Sequence, residues 1–291
     1  MANLRGLLYS GEALNSIIHG ERNMSSVESV SGLTRLLAII GDPIARVRAP
    51  QLINRELISQ QRENVLMIPL HVAADGLRET LEGLRHCQNF SGAVITMPHK
   101  RAVIDLLDDI SPEAQLAGAC NVIKRLPDGK LSGTLYDGEG FVAGLQLRGY
   151  EVAGKRVYLA GAGGAASAIA HALASHGVTE LIIYNRSEPA VLELAANLAR
   201  HHPGLVVIHG THSPAHCDIV INATPVGMGE DTEQAFSLQH LAPGTLVCDI
   251  IIYPEKTPLL LAAEQAGLPV HTGEAMLSAQ ISLMLKFMLE S

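Results

Sequence analysis

A chain of 291 residues, 47% hydrophobic with 27 glycines and no tryptophan, can bury the core of one large or two medium domains. It has the make-up of a globular α/β enzyme rather than a fibrous or disordered chain. A net charge of −8 argues against nucleic acid as a partner, yet leaves room for a locally basic site that takes an anionic substrate. Cys87, Cys120, Cys217 and Cys248 form no C-x-x-C pair and the 13 histidines no ligand cluster, so reduced buried thiols, a cytoplasmic location and no metal are expected. No charge-free apolar run is long enough for a bilayer.

Residues 1–33 read as an extension, and their polar, small stretch Ser25-Ser26-Val27-Glu28-Ser29-Val30-Ser31-Gly32 is expected to be mobile. Packed structure begins with a strand at 35–40, closed by Gly41-Asp42-Pro43. Hydrophobic period then predicts a helix at 50–61, a strand at 65–70, a helix at 75–86 with Leu77, Leu81 and Leu84 on one face, and a strand at 92–96. Pro98 stands where it would be the first residue of another helix. Segments 119–124 and 131–135, joined by Pro127-Asp128-Gly129, read as a hairpin. Asp137 precedes a helix at 138–148 that leads into the next strand.

That strand belongs to the most informative stretch, Val157-Tyr158-Leu159-Ala160-Gly161-Ala162-Gly163-Gly164-Ala165-Ala166, an apolar run that passes through glycines into an alanine-rich helix. Gly161, Gly163 and Ala166 fit G-x-G-x-x-A: a tight turn, a close approach for a pyrophosphate, and a small residue for strand–helix packing. The unpaired N–H groups opening the helix suit a phosphate. A second strand at 181–184 ends in Asn185-Arg186-Ser187. An NAD-binder usually carries an acid there, whereas a guanidinium can pair with a 2′-phosphate, so NADP is expected, with NAD possible. Glu188 follows and would oppose that phosphate.

Further strands at 205–208, 219–222 and 245–251, with helices at 189–200, 257–266 and 274–289, describe parallel crossovers. The predicted fold is α/β, with a substrate domain at 34–136, a Rossmann-type doubly wound domain at 137–273, and a final helix, 274–291, returning to the first. A cleft between the two would hold the substrate. Oxidising an alcohol needs a group to take the hydroxyl proton, and a Lys beside a carboxylate can do so. Lys100 and Asp137 are the candidates. By spacing alone, Lys100 reads equally as a solvated helix lysine and Asp137 as a helix cap.

Nine motifs stand in one order along the chain. They are Gly41-Asp42-Pro43-Ile44, Thr96-Met97-Pro98-His99-Lys100, Ala117-Gly118-Ala119-Cys120-Asn121, Asp137-Gly138, Gly161-Ala162-Gly163-Gly164-Ala165 and Asn185-Arg186. Asn222-Ala223-Thr224-Pro225-Val226-Gly227-Met228, Thr257-Pro258-Leu259-Leu260, and Met276-Leu277 with Gln280 complete the set. Over 34–291 the chain thereby resembles the shikimate/quinate dehydrogenase family. The resemblance implies reversible hydride transfer between NAD(P) and a ring hydroxyl of a small cyclic polyol or hydroxy acid, by a monomer or homodimer. It implies Lys100 as general acid/base with Asp137 as its partner, and Thr96, Asn121 and Gln280 on ring hydroxyls. Gly161, Gly163, Gly164 and Ala165 would hold the pyrophosphate, and Asn185, Arg186 and Ser187 the adenosine ribose. Thr224 and Gly273 would lie near the nicotinamide, with Met228 packed as core.

The chain departs from that family at one end of the substrate. Where the family usually has S-x-S-P, whose hydroxyls hold a ring carboxylate, it reads Val47-Arg48-Ala49-Pro50. In D-x-x-Y-x-P the tyrosine position is Ile252, with Tyr253 one residue late. Val94 and Leu135 replace two further asparagines. Arg46 and Arg48 are the candidates to pair directly with a carboxylate. Loss of the serines and tyrosine favours a substrate other than shikimate, or a regulatory module that binds a metabolite without turnover. Retention of Lys100 and Asp137 opposes the module, and the ordered polyol motifs oppose a methylene-folate dehydrogenase.

Overall fold

The computed structural model describes residues 30–45 and 47–290. Most of the expected extension, and Arg46, lie outside these residues. The first sheet has the order β2-β1-β3-β5-β6-β4. Strands β1 (Arg35–Gly41), β2 (Val65–His71) and β3 (Phe90–Ile95) run parallel. Strand β5 (Val122–Arg125) is antiparallel to β3 and forms the expected hairpin with β6 (Leu131–Thr134), beyond which β4 (Asp109–Ile110) is added.

All six residues of β3 are buried, which is the signature of a strand covered on both faces. Alternation along β1 divides the core. Leu37 and Ile39 join a cluster with Ile53, Met284 and Leu285. Ala38 and Ile40 join one with Leu81, Ile95 and Ala114 on the other side. The first cluster lies under α1 (Ala49–Ser59) and the C-terminal helix, and the second under α2 (Leu77–His86) and α4 (Pro112–Ala117). The short α3 (His99–Ala102) follows β3. It starts one residue later than expected, since Pro98 with ψ of 6° flanks the helix instead of beginning it.

Helix α4 was not foreseen, although its punctuation is in the sequence: Ser111 accepts from the Ala114 N–H at 3.3 Å, and Gly118 closes the turn at φ of 60°. Two burial expectations are corrected. Cys87 is exposed, at the turn that ends α2, while the other three thiols are buried. Met228 is 44% exposed, in the turn where Gly227 takes a φ of 89°.

The second sheet, β12-β11-β10-β7-β8-β9, is parallel throughout. Its strands are β7 (Arg156–Ala160), β8 (Glu180–Tyr184), β9 (Val206–His209), β10 (Ile219–Asn222), β11 (Leu246–Asp249) and β12 (Val270–His271). Taken in chain order from β7, this is the 3-2-1-4-5-6 arrangement of dinucleotide-binding sheets, with its switch point between β7 and β10. Helices α5 (Asp137–Leu147), α6 (Gly164–Ser175), α7 (Glu188–His201), α8 (Pro258–Gln265) and α9 (Gly273–Leu289) complete the fold. No helix among the described residues is long and apolar enough to cross a membrane.

Helices α5 and α9 lock the two sheets together. A Cβ at Gly140 would fall 2.7 Å from Cβ of Gln280, and one at Gly144 would fall 3.0 Å from the Ala275 backbone. The two glycines of α5 therefore let α9 approach to backbone contact, which carries Gln280 down beside the start of α5.

Candidate active site

Four separate segments converge here: α3 after β3, the loop 118–121, the start of α5, and α9. Lys100, on α3, forms an ion pair and hydrogen bond with Oδ2 of Asp137. The other carboxylate oxygen accepts from Nδ2 of Asn121 at 2.8 Å. The same amide donates to Oε1 of Gln280 at 3.1 Å, and its oxygen accepts the Tyr136 N–H at 3.0 Å. The Cys120 N–H donates to the Lys100 carbonyl at 2.8 Å, tying α3 to the loop. Asp137 is the first residue of α5, not its cap, so its side chain is free for Lys100 while its charge sits at the favourable helix end. Asn121 and Gln280 are buried, at 1% and 4% exposure.

The pair is asymmetric. Its lysine side chain is 23% exposed and that of Asp137 5%, so the lysine is the more open partner and the carboxylate the more buried one. Thr96 is half-buried at the end of β3, its side chain against Gly41, and its hydroxyl has no partner among the described residues. Val47 and Ala49 lie after β1, packed on the cluster of Leu37 and Ile39. Arg48 is half-buried and unpaired among the described residues. Ile252 is half-buried after β11, and Tyr253 is exposed. Packed Val47 and Ala49 thus stand at the serine positions and half-buried Ile252 at the tyrosine position, none with a side-chain donor.

The residues expected to hold the cofactor stand at the switch point. Gly161 turns at φ of 120°, and a Cβ there would strike the Ala223 carbonyl at 2.7 Å, next to Thr224. A Cβ at Gly163 would meet nothing within 4 Å, which leaves an open approach to the backbone. Helix α6 has no side-chain cap, so its first N–H groups, including those of Gly164 and Ala165, remain available to a phosphate. Gly273 abuts the Ile250 and Ile251 carbonyls at 2.5 Å, measured from its would-be Cβ. Arg186 and Ser187 are exposed after β8, where Asn185 Nδ2 donates to the Ser187 carbonyl at 3.3 Å. Glu188 approaches His209 at 4.0 Å. A glycine cradle, an uncapped helix and a free guanidinium fit an NADP-type dinucleotide.

Sequence reading assigned no role to Asn222, Asp249 and Thr257, which are fully buried and hydrogen-bonded to one another. A signal was there, since two consecutive parallel strands each end an apolar run on a polar residue, and Asn222 pairs in register with Asp249.

Comparison with known proteins agrees with this geometry. Residues 39–123 match the shikimate dehydrogenase substrate binding domain, and residues 145–249 match shikimate / quinate 5-dehydrogenase. The chain is 36% identical over 258 residues to shikimate dehydrogenase (NADP(+)) of Geobacter sulfurreducens, covering 86% of this chain and 89% of that protein. Shikimate 5-dehydrogenase of Listeria monocytogenes, solved with shikimate and NAD, superposes with a TM-score of 0.80 at 28% identity, covering 90% and 94% of the two chains. A ligand-free 5-ketofructose reductase of a Gluconobacter species superposes with a TM-score of 0.79 at 29% identity, covering 90% and 95%. The chain therefore belongs to the shikimate/quinate dehydrogenase family and is an NAD(P)-dependent oxidoreductase of the shikimate dehydrogenase type.

Proposed function

We propose that this protein interconverts a ring hydroxyl and a ketone on a cyclic polyol, with Lys100 as general acid/base and Asp137 as the group that holds it. The carrying observation is the Lys100–Asp137 pair itself, with the lysine its more open partner, built from both sides of the boundary between the lobes. Residues 34–136 with the returning helix would hold the substrate, and 137–273 the cofactor. Thr96, Asn121 and Gln280 would take ring hydroxyls; Gly161, Gly163, Gly164 and Ala165 would hold the pyrophosphate; Asn185, Arg186 and Ser187 the ribose; Thr224 and Gly273 the nicotinamide end. Bound NADP supplies the hydride acceptor or donor.

In the oxidising direction the neutral Lys100 amine takes the hydroxyl proton as the carbon gives up its hydride, and in reduction the ammonium returns a proton to the carbonyl oxygen. Asp137 orients that nitrogen, and its second oxygen, held by Asn121, keeps the carboxylate from swinging toward the substrate. Positioned proton transfer of this kind is worth about 10²–10⁴-fold in rate.

The preferred substrate is shifted away from shikimate. Each lost donor to a buried carboxylate costs about 1–3 kcal/mol, so loss of three without replacement removes several orders of magnitude in kcat/KM. Val47, Ala49 and Ile252 suit a ring whose carboxylate is absent, altered or held elsewhere. The likeness to a 5-ketofructose reductase supports this reading. The protein is taken to act in the cytoplasm as a monomer or homodimer.

Nicotinamide absorbance assays over shikimate, quinate and carboxylate-free polyols, each with NAD and NADP, test the reading. Turnover of a polyol that Lys100→Ala abolishes, with NADPH affinity kept, is the expected result. Shikimate turnover at the level of a biosynthetic enzyme would overturn the shift, and full activity of Lys100→Ala would overturn the mechanism.

A further inference from the structure

The second lobe buries a carboxylate that the chemistry above does not use. Asp249 is 0% exposed at the end of β11, and three donors from three segments converge on it. Asn222 Nδ2, at the end of β10, donates to Oδ2 at 3.0 Å, and the Thr257 hydroxyl, flanking α8, donates to the same oxygen at 2.8 Å. The Ile251 N–H donates to Oδ1 at 2.9 Å.

With Asp249 ionised, each link has one polarity. Oγ1 of Thr257, which also accepts the Leu260 N–H at 3.4 Å, gives its single proton to the carboxylate. Asn222 places its other amide proton on the Val226 carbonyl at 3.1 Å, and its oxygen accepts both the N–H and the hydroxyl of Thr224, at 2.9 and 2.7 Å. Oγ1 of Thr224 in turn accepts the Val226 N–H at 3.2 Å. The chain of donors therefore runs from Val226 through Thr224 and Asn222 and ends on a group that only accepts.

Stability does not account for this group. Burial without a facing cation pushes its carboxyl up to about 6, against the three donors that favour the charge. A buried carboxylate of this kind is generally no more stabilising than a well-packed apolar side chain. What it supplies is geometry, because a fully satisfied polar network admits one arrangement of the backbone.

We propose that Asp249 is a positioning residue for the nicotinamide end of the cofactor site. Its carboxylate is the common acceptor that fixes the loop after β10, the loop after β11 and the start of α8 relative to one another. The first loop carries Thr224, and the second carries Ile252 and abuts Gly273. The assignment rests on the proposed placement of Thr224 and Gly273 beside the nicotinamide. Asp249 is hydrogen-bonded neither to Lys100 nor to the glycine turn, and it reaches Gly161 only through the Ala223 carbonyl on the first loop, so the pyrophosphate and ribose contacts depend on it less directly than the nicotinamide end does.

The test compares Asp249→Asn, Thr257→Val and Thr257→Ser with the unaltered protein. Wild-type turnover in the same assay checks the underlying reading separately, and amide exchange of the cofactor-free protein needs no turnover at all. For Asp249→Asn and Thr257→Val, exchange of the Thr224, Val226 and Ile251 amides should rise at least tenfold while β7 amides stay protected. For the same two variants kcat should fall at least tenfold, with NADPH affinity within about threefold of wild type. Thr257→Ser should restore both readouts. Should Asp249→Asn fail to fold, the Thr257 pair decides alone. Unchanged exchange and kcat in folded Thr257→Val, or a loss that Thr257→Ser does not rescue, would overturn the proposal.

Discussion

A side-chain carbon at Gly164 would lie 2.9 Å from Cβ of Ala119. One residue opens α6 and the other precedes Cys120 and Asn121 in the loop tied to Lys100, so the glycine turn and the Lys100–Asp137 pair are held in register by direct contact.

That approach has a measurable consequence. An added methyl group meets a rigid Cβ instead of a flexible side-chain end, and overpacking of this sort costs about 1–3 kcal/mol. The gain of up to about 1 kcal/mol in helix propensity on replacing glycine by alanine does not offset it. Gly164→Ala should lower the melting temperature and weaken NADPH binding together. A variant as stable as the parent, with unchanged affinity, would show that the two lobes are not in contact there.

Arg186 is exposed at the end of β8, and Glu188 approaches His209, at the end of β9. Hydrogen bonds to charged groups contribute about 1.5–3 kcal/mol, and exposure places Arg186 at the lower end. Arg186→Ala should therefore weaken NADPH about tenfold and leave NADH nearly unchanged. Equal losses for the two cofactors, read by fluorescence titration, would remove the 2′-phosphate from its role.

Asn121 joins Asp137, Gln280 and the Tyr136 backbone through one buried amide. Asn121→Leu keeps the branched shape of the side chain but adds bulk and strands three polar groups, each at about 1–3 kcal/mol before relaxation. A loss of about 3 kcal/mol is expected from urea unfolding, with kcat falling as well because Asp137 loses its brace. A stability change under 1 kcal/mol would mean that water replaces the amide.

Acid should weaken the fold through two buried histidines. Burial first, then the neighbouring His202 and His201, holds His171 down to about 4, while burial and then Arg148 do the same for His271. His171 Nδ1 lies 3.0 Å from His202 Nε2, and neither ring nitrogen of His271 has a partner among the described residues. Unfolded histidine takes its proton near pH 6.5, so these contributions are complete above that pH and are lost as it falls toward 4, at up to about 2 kcal/mol each. Asp249 runs oppositely, since its folded form takes a proton at about 6. His271→Leu should flatten the stability profile between pH 6.5 and 4 and raise stability at neutral pH. An unchanged slope would place water on that ring.

Local signals carried most of the secondary structure. The turn at Gly161, the hairpin at Gly129 and the amphipathic face of Leu77 and Leu81 depend on neighbours within one or two turns of chain, and each is where the sequence puts it. Helix α4 had the same kind of signal in Ser111-Pro112 and Gly118. Exposure at Met228 and Cys87 was not legible in that way, since it depends on where a loop faces after the sheets have packed.

Residue chemistry and motif order were enough to name Lys100, Asp137, Asn121 and Gln280 as a set, and the turn at Gly161 as the place for a dinucleotide. Only the packed chain joins Asn121 to Gln280, which are 159 residues apart, or shows that Asp137 has no capping duty. The same holds for Asn222, Asp249 and Thr257, whose pattern of donors and acceptor exists only once two strand ends and a helix start are side by side. Turn preference and hydrophobic period act over a few residues and survive in the one-dimensional string. Burial and hydrogen-bond polarity are properties of groups brought together from distant positions, and they come into being with the fold.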